Sequence, residues 1–119
     1  MADITRQDVI KILAITEHAR LSGVDLSGLV LNGLNFSGAD LTLANLSKSD
    51  LRNAYMRGAR MESTNLEGAL LNGANLREAN LKGANLKGAD LSNANLKDAI
   101  LADADLTATK MVDVKGYRQ

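Results

Sequence analysis

From Leu21 to Met111 every fifth residue is a large apolar side chain. These nineteen consecutive positions hold fifteen Leu together with Phe36, Met56, Met61 and Met111. An α-helix buries positions three and four apart and a strand buries alternate ones, so a period of five fits neither and settles the architecture before local propensity is read. Take the large residue as the centre of each repeat. Two places before it, thirteen of the nineteen residues are Ala, and the rest are Val24, Leu29, Leu34, Ser49, Thr64 and Thr109. One place before it, twelve are Asn or Asp, and two places after it stand nine of the chain's ten Gly.

In an extended segment such as Ala84-Asn85-Leu86, successive side chains point to opposite sides, so Ala84 and Leu86 face inward and Asn85 outward. Lys87 and Gly88 must then turn the chain, and Gly tolerates turn dihedrals most readily. Segments alternating with corners keep one face inward only by winding about an axis. Four right-angle corners close a square of twenty residues per coil, with coils about 4.8 Å apart. The repeats predict four to five coils in a rod about 20–25 Å long, filled by layers of Leu with Ala at the approaches.

The pattern resembles the pentapeptide-repeat family, whose motif stands here as Ala74-Asn75-Leu76-Arg77-Glu78, Ala79-Asn80-Leu81-Lys82-Gly83 and Ala89-Asp90-Leu91-Ser92-Asn93. The match covers residues 19 to about 113. The resemblance implies an all-β solenoid, a right-handed quadrilateral β-helix, in which a short α-helix often closes one end. It also implies one functional alternative, because some members mimic duplex DNA and shield DNA gyrase from quinolone drugs.

The helix is legible before the first repeat. Thr5 is an N-cap with Asp8 three residues on, and Val9, Ile10, Ile12, Leu13 and Ile15 form a broad apolar stripe that needs burial. Residues 5–19 are expected to form a helix over the open end of the stack, against a first coil whose small positions are enlarged to Val24, Leu29 and Leu34. A membrane-anchoring role would require a basic face, and Asp8 and Glu17 stand there instead. The expected division is a capping helix in 1–20, a β-helix in 21–113 and a tail in 114–119. The tail carries Lys110, Lys115 and Arg118 around its start and end, and the final coil has no second amphipathic helix to cover it. Its end either pairs with a second copy, giving a homodimer, or is closed by the tail.

Composition narrows the function. Fourteen basic and fourteen acidic residues cancel, so no strong field draws the chain to nucleic acid or membrane. The absence of Cys removes disulfides, thiolate metal sites and a thiol nucleophile. With neither a secretory signal nor a membrane span recognisable, a cytoplasmic location is expected. His18 is the only histidine. It is expected in the last helical turn, where its partial charge suits the helix C-terminus. The carboxylates are spread around the rod and the Gly residues are corners, so no enzyme activity, cofactor or metal is expected.

The outer surface is what remains. Residues twenty apart should stack, which places Glu62 against Lys82, Glu67 against Lys87, and Asn45, Asn65 and Asn85 in a column whose amides can bond between coils. Arg57, Arg77 and Lys97 form a like-charged column with Tyr55 beside it, compensated by Glu78 and Asp98 or serving an anionic partner. The favoured reading is a non-enzymatic scaffold presenting its faces to an unidentified protein partner. The gyrase-directed DNA mimic wants a long acidic rod, whereas residues 21–109 hold ten acidic and eight basic residues. Weak anion or nucleic-acid binding through the basic stripe is the third reading, without the interleaved aromatics that favour nucleic acid.

Overall fold

The structure of the chain is a computed structural model and describes residues 4–117; Arg118 of the basic tail lies outside them. Isolated parallel β-bridges join residues twenty apart in an unbroken series, from Arg20↔Asp40 to Asn95↔Lys115. A register of twenty with a repeat of five places four repeats in each coil, and the chain is a four-sided β-helical solenoid. Its sides are named here by their first centres: Leu21, Leu26, Leu31 and Phe36. The molecule measures 37 × 26 × 22 Å with the N-terminal helix included.

The corners are β-turns. From Leu21 to Leu106 each centre carbonyl accepts from the N–H three residues on, as Phe36 O does from Ala39 N at 2.9 Å. The residue two past the centre is left-handed at all nineteen corners, with φ of 68–72° at nine Gly and 55–65° at ten other residues. That is the dihedral signature of a type II turn. The Asn or Asp one place before the centre braces the corner: in all twelve cases its Oδ1 accepts from the backbone N–H two residues on, at 2.9–3.1 Å. This corrects the expected amide ladder. Asn45, Asn65 and Asn85 stack, but each amide oxygen is engaged by its own corner at Ser47, Glu67 and Lys87.

The centres from Leu21 to Leu96 are buried, as are the Ala positions between Ala39 and Ala94. Where the small position is polar, the hydroxyl finds a backbone acceptor: Ser49 Oγ donates to Leu46 O at 2.7 Å and Thr64 Oγ1 to Leu41 O at 2.8 Å. Such pairing removes the penalty of a buried hydroxyl. In the last coil Leu101, Leu106 and Met111 are only half-buried. Val114 and Tyr117 pack against the core and Lys115 bridges Asn95, so the chain keeps the coil register from Met111 to Lys115.

Helix α1 (Arg6–Ile15) begins at the expected capping box, with Thr5 Oγ1 accepting from Asp8 N and Asp8 Oδ2 from Thr5 N. It buries Val9 completely and packs Ile12 and Leu13 against the core. It ends earlier than the expected residue 19, because Thr16 is already extended at φ −148°. His18 is therefore outside the helix, a correction to its placement in the last turn. Its imidazole lies against Gly38, where a Cβ would collide with the ring.

The hydrogen bonds between coils give the stack a polarity. Each repeat sends two N–H groups and one C=O toward the C-terminal end: Leu21 N bonds Asp40 O, Gly23 N bonds Thr42 O, and Ala19 O accepts from Asp40 N. The opposite face of each repeat presents two carbonyls and one N–H. The N-terminal end thus carries surplus acceptors, and Arg6 meets them there, with Nη1 2.8 Å from Val30 O and 3.4 Å from Asn32 O. At the C-terminal end the N–H groups of Leu101, Asp103, Leu106, Ala108 and Met111 have no backbone partner among the described residues.

Three predictions follow from this arrangement. Leu76→Ala in mid-stack should destabilise by roughly 2–5 kcal/mol, while Lys87→Ala on the surface stays within about 0.5 kcal/mol; urea titration of both variants measures the difference. Leu43 is 66 % exposed yet held at φ 62°, so Leu43→Gly should stabilise by about 0.5–1 kcal/mol through relief of the left-handed strain. A lower unfolding midpoint for that variant would contradict the corner geometry. Third, corner hydrogen bonds hold acidic groups below the ordinary carboxylate range, from Asn72 and Ser92 at Asp90 and from Thr107 at Asp105. A depressed folded pKa contributes stability above the unfolded value of about 3.9 and loses it as pH falls through the folded value. Thermal midpoints should hold down to about pH 5 and drop below about pH 4, and Asp90→Asn with Asp105→Asn should soften that drop while keeping the corner acceptors.

Candidate interaction face

The Phe36 side gathers the residues singled out in the sequence. Its ladder runs Asn35↔Tyr55↔Asn75↔Asn95↔Lys115, which places Ser37, Arg57, Arg77 and Lys97 one above another, each two residues past a ladder residue. Tyr55 is 55 % exposed, and Arg57 and Lys97 are exposed as well. The four residues do share one side. The repeat puts them there because the positions flanking each centre point outward from the extended segment.

The column is not evenly compensated. Arg57 Nη2 pairs with Glu78 Oε1 at 2.9 Å across the coil boundary, with side chains 54 % and 48 % exposed, a geometry of modest energetic weight. Glu78 thereby neutralises Arg57 rather than its sequence neighbour Arg77. Asp98 forms no ion pair among the described residues. Arg77 lies between two other cations with its Nε buried and without a hydrogen-bond partner. A buried donor without a partner is uncommon in a folded chain, and this one belongs to the middle of the basic column.

Other expected pairs are absent. Glu62 accepts from Asn80 Nδ2 at 3.1 Å, and no ion pair within 4.0 Å joins it to Lys82, or Glu67 to Lys87, among the described residues. Stacking two side chains at strand spacing leaves their long arms free to diverge, and Asn80 offers Glu62 a shorter reach. Arg52, by contrast, forks onto Asp50 of its own corner, Nε to Oδ1 at 2.9 Å and Nη2 to Oδ2 at 2.8 Å. On the Leu21 side the Asp40 carboxyl is lowered first by its Thr42 hydrogen bonds and further by Arg60 and Arg20 stacked on either side.

The sequence reading missed a groove. The end of α1 stands off the first coil and leaves a cleft of about 420 Å³ lined by Leu13, Ile15, Glu17, Asn35 and Ser37. Ile15 is 86 % exposed, because the helix stops at that residue. No C-terminal Gly or Pro in the sequence marks this stop. The other large exposed aliphatics among the described residues are Val30, Leu43, Leu70, Ile100 and Val112, and Asp50 separates Val30 from Leu70 in their ladder. Among the described residues no group of three or more His, Cys, Asp or Glu is placed to hold a metal ion, and no helix is long and apolar enough to cross a membrane.

Comparison with known proteins agrees with this architecture. The family described as pentapeptide repeats matches residues 19–58 and 59–98 in eight copies. The chain is similar to the pentapeptide-repeat protein Rfr23 of the cyanobacterium Cyanothece 51142, with 42% identity over 77% of this chain and 59% of that one at a TM-score of 0.68. It is similar to alr5209 of Nostoc Pcc 7120, with 30% identity over 96% of this chain and 88% of that one at 0.76. It is also similar to AT2G44920 from the Arabidopsis thaliana thylakoid lumen, with 31% identity over 70% and 61% of the two chains at 0.56. The chain thus spans 59% of Rfr23 and 61% of the Arabidopsis protein. No curated protein matches it significantly. Members of the family are generally non-enzymatic structural or interaction proteins. With eight matched copies and a continuous twenty-residue register, the chain belongs to the pentapeptide-repeat family.

Proposed function

We propose that this chain is a non-enzymatic scaffold of the cytoplasm, a right-handed four-sided rod whose N-terminal end is closed by α1 and whose Phe36 side is read by a protein partner. The observation that carries the reading is Arg77. It sits between Arg57 and Lys97 with no side-chain partner among the described residues, and exposed Tyr55 stands on the coil below, at the height of Arg57. An aromatic beside an arginine is a frequent anchor of protein interfaces. A side on which Arg77 and Lys97 form no ion pair among the described residues has the wrong sign for a mimic of duplex DNA, so the gyrase-directed alternative is not favoured. The column is also too short, and too closely flanked by Glu78 and Asp98, to follow a nucleic-acid backbone.

A second reading is pairing of two copies through the C-terminal end, favoured by the half-buried Leu101, Leu106 and Met111. Ladder polarity shapes that reading. Two such ends would bring surplus N–H groups against surplus N–H groups, so apolar contact would have to dominate over strand continuation.

One experiment separates the two. A photoreactive phenylalanine analogue at Tyr55, expressed in the native cell, should cross-link a different protein. The same analogue at Ala102, on the rim of the last coil, should yield the doubled mass of this chain only if copies pair. Arg57→Glu with Arg77→Glu should abolish the first adduct and leave the second untouched. Persistence of the Tyr55 adduct in that variant would overturn the Phe36 side as the recognition surface.

A further inference from the structure

The groove at the end of α1 and the basic column occupy the same side of the rod. Asn35 and Ser37 line the groove, and Asn35 bridges Tyr55 one coil above. Moving toward the C-terminus, a ligand would meet Ile15, then Tyr55 and Arg57, then Arg77, then Lys97. We propose that this strip binds a short extended acidic segment of a partner protein, with an uncharged apolar residue seated beside Ile15, the chain passing over the Arg57–Glu78 pair, and carboxylates on Arg77 and Lys97. The proposal rests on the scaffold reading above and specifies its partner's chemistry.

Four features carry it. Ile15 is 86 % exposed at a cleft that receives a side chain of ordinary size. Tyr55 is exposed one coil above Asn35, which lines the cleft. Arg77, half-buried, forms no ion pair among the described residues although it stands in a column of like charge, and a planar guanidinium matches a carboxylate bidentately. The span also fits: three coil spacings separate Ser37 from Lys97, about 14 Å, which an extended peptide covers with four to five residues at about 3.3 Å each.

The acidic residues around the strip select against a uniformly charged polymer. Glu17 lies on the groove and Glu78 and Asp98 on the adjoining corners. A polyphosphate would bring charge against all three. A peptide can place a neutral apolar residue at the Glu17 end and carboxylates only over the cations.

The test uses the intact chain and fluorescence anisotropy with a labelled peptide, Leu-Gly-Glu-Gly-Glu-Glu, at low salt. The peptide should bind, and Arg77→Glu should weaken it roughly tenfold. Lys87→Glu changes the net charge equally but on the Leu26 side, and should weaken it less than about twofold. Ile15→Ser should weaken the leucine-ended peptide and leave a serine-ended version unchanged. Thermal melts of each variant establish that the rod is intact. Equal loss in Arg77→Glu and Lys87→Glu, tighter binding of a thymidine oligonucleotide of equal charge, or no binding of the peptide would each overturn the proposal. A heterologous Tyr55 cross-link that survives such a failure would leave the scaffold reading standing, with a partner of other chemistry.

Discussion

A left-handed residue at every fifth position, held beside a turn hydrogen bond and, up to Asn93, by a ladder bond of its own, is the constraint on which this molecule depends. Without it the short extended segments would run on straight and the inward Leu and Ala would diverge. Nine corners meet the requirement with Gly and ten meet it with side chains held at φ 55–65°. Those ten include Leu43 and Ala108, for which the conformation is unfavourable. The twelve Asn and Asp braces help to make this tolerable, since each satisfies a backbone donor that the turn would leave pointing outward. The aliphatic column then rewards every correct corner with another buried side chain.

The same ladder makes the two ends chemically different. In this β-helix the surplus carbonyls lie at the N-terminal end, the reverse of an α-helix, whose free N–H groups lie at its N-terminus. Arg6 donating to Val30 O and Asn32 O is the local answer: the helix brings an apolar stripe for the core and a guanidinium for the carbonyls. The opposite end asks for acceptors. That asymmetry bears on any assembly of such rods, because like ends are mismatched in hydrogen bonding even where their apolar centres would stick together.

Much of the fold was legible because its information is one-dimensional. The period of five named the inward residues, the Gly column located the corners, and twenty-residue stacking placed Arg57, Arg77, Lys97 and Tyr55 on one side. The capping box at Thr5 and Asp8 was equally plain. What failed was pairing and termination. Glu62 bonds Asn80 rather than Lys82, Asp98 forms no ion pair among the described residues although Glu78 does compensate the column at Arg57, and α1 stops at Ile15 with no stop signal written in the residues that follow. Each of these outcomes depends on side-chain reach across a coil boundary or on how the helix meets the first coil, and a linear pattern holds neither.

The sequence by itself determined the coil: its twenty-residue turn, its aliphatic filling and the side on which every polar residue faces, because each follows from alternation and spacing along a single chain. The tertiary structure alone decided which charges are answered and which are not. Long side chains at strand spacing have several neighbours within reach, and the choice among them is made by local geometry. That choice left Arg77 without a partner in the middle of a basic column, and the early end of α1 left Ile15 exposed at its foot.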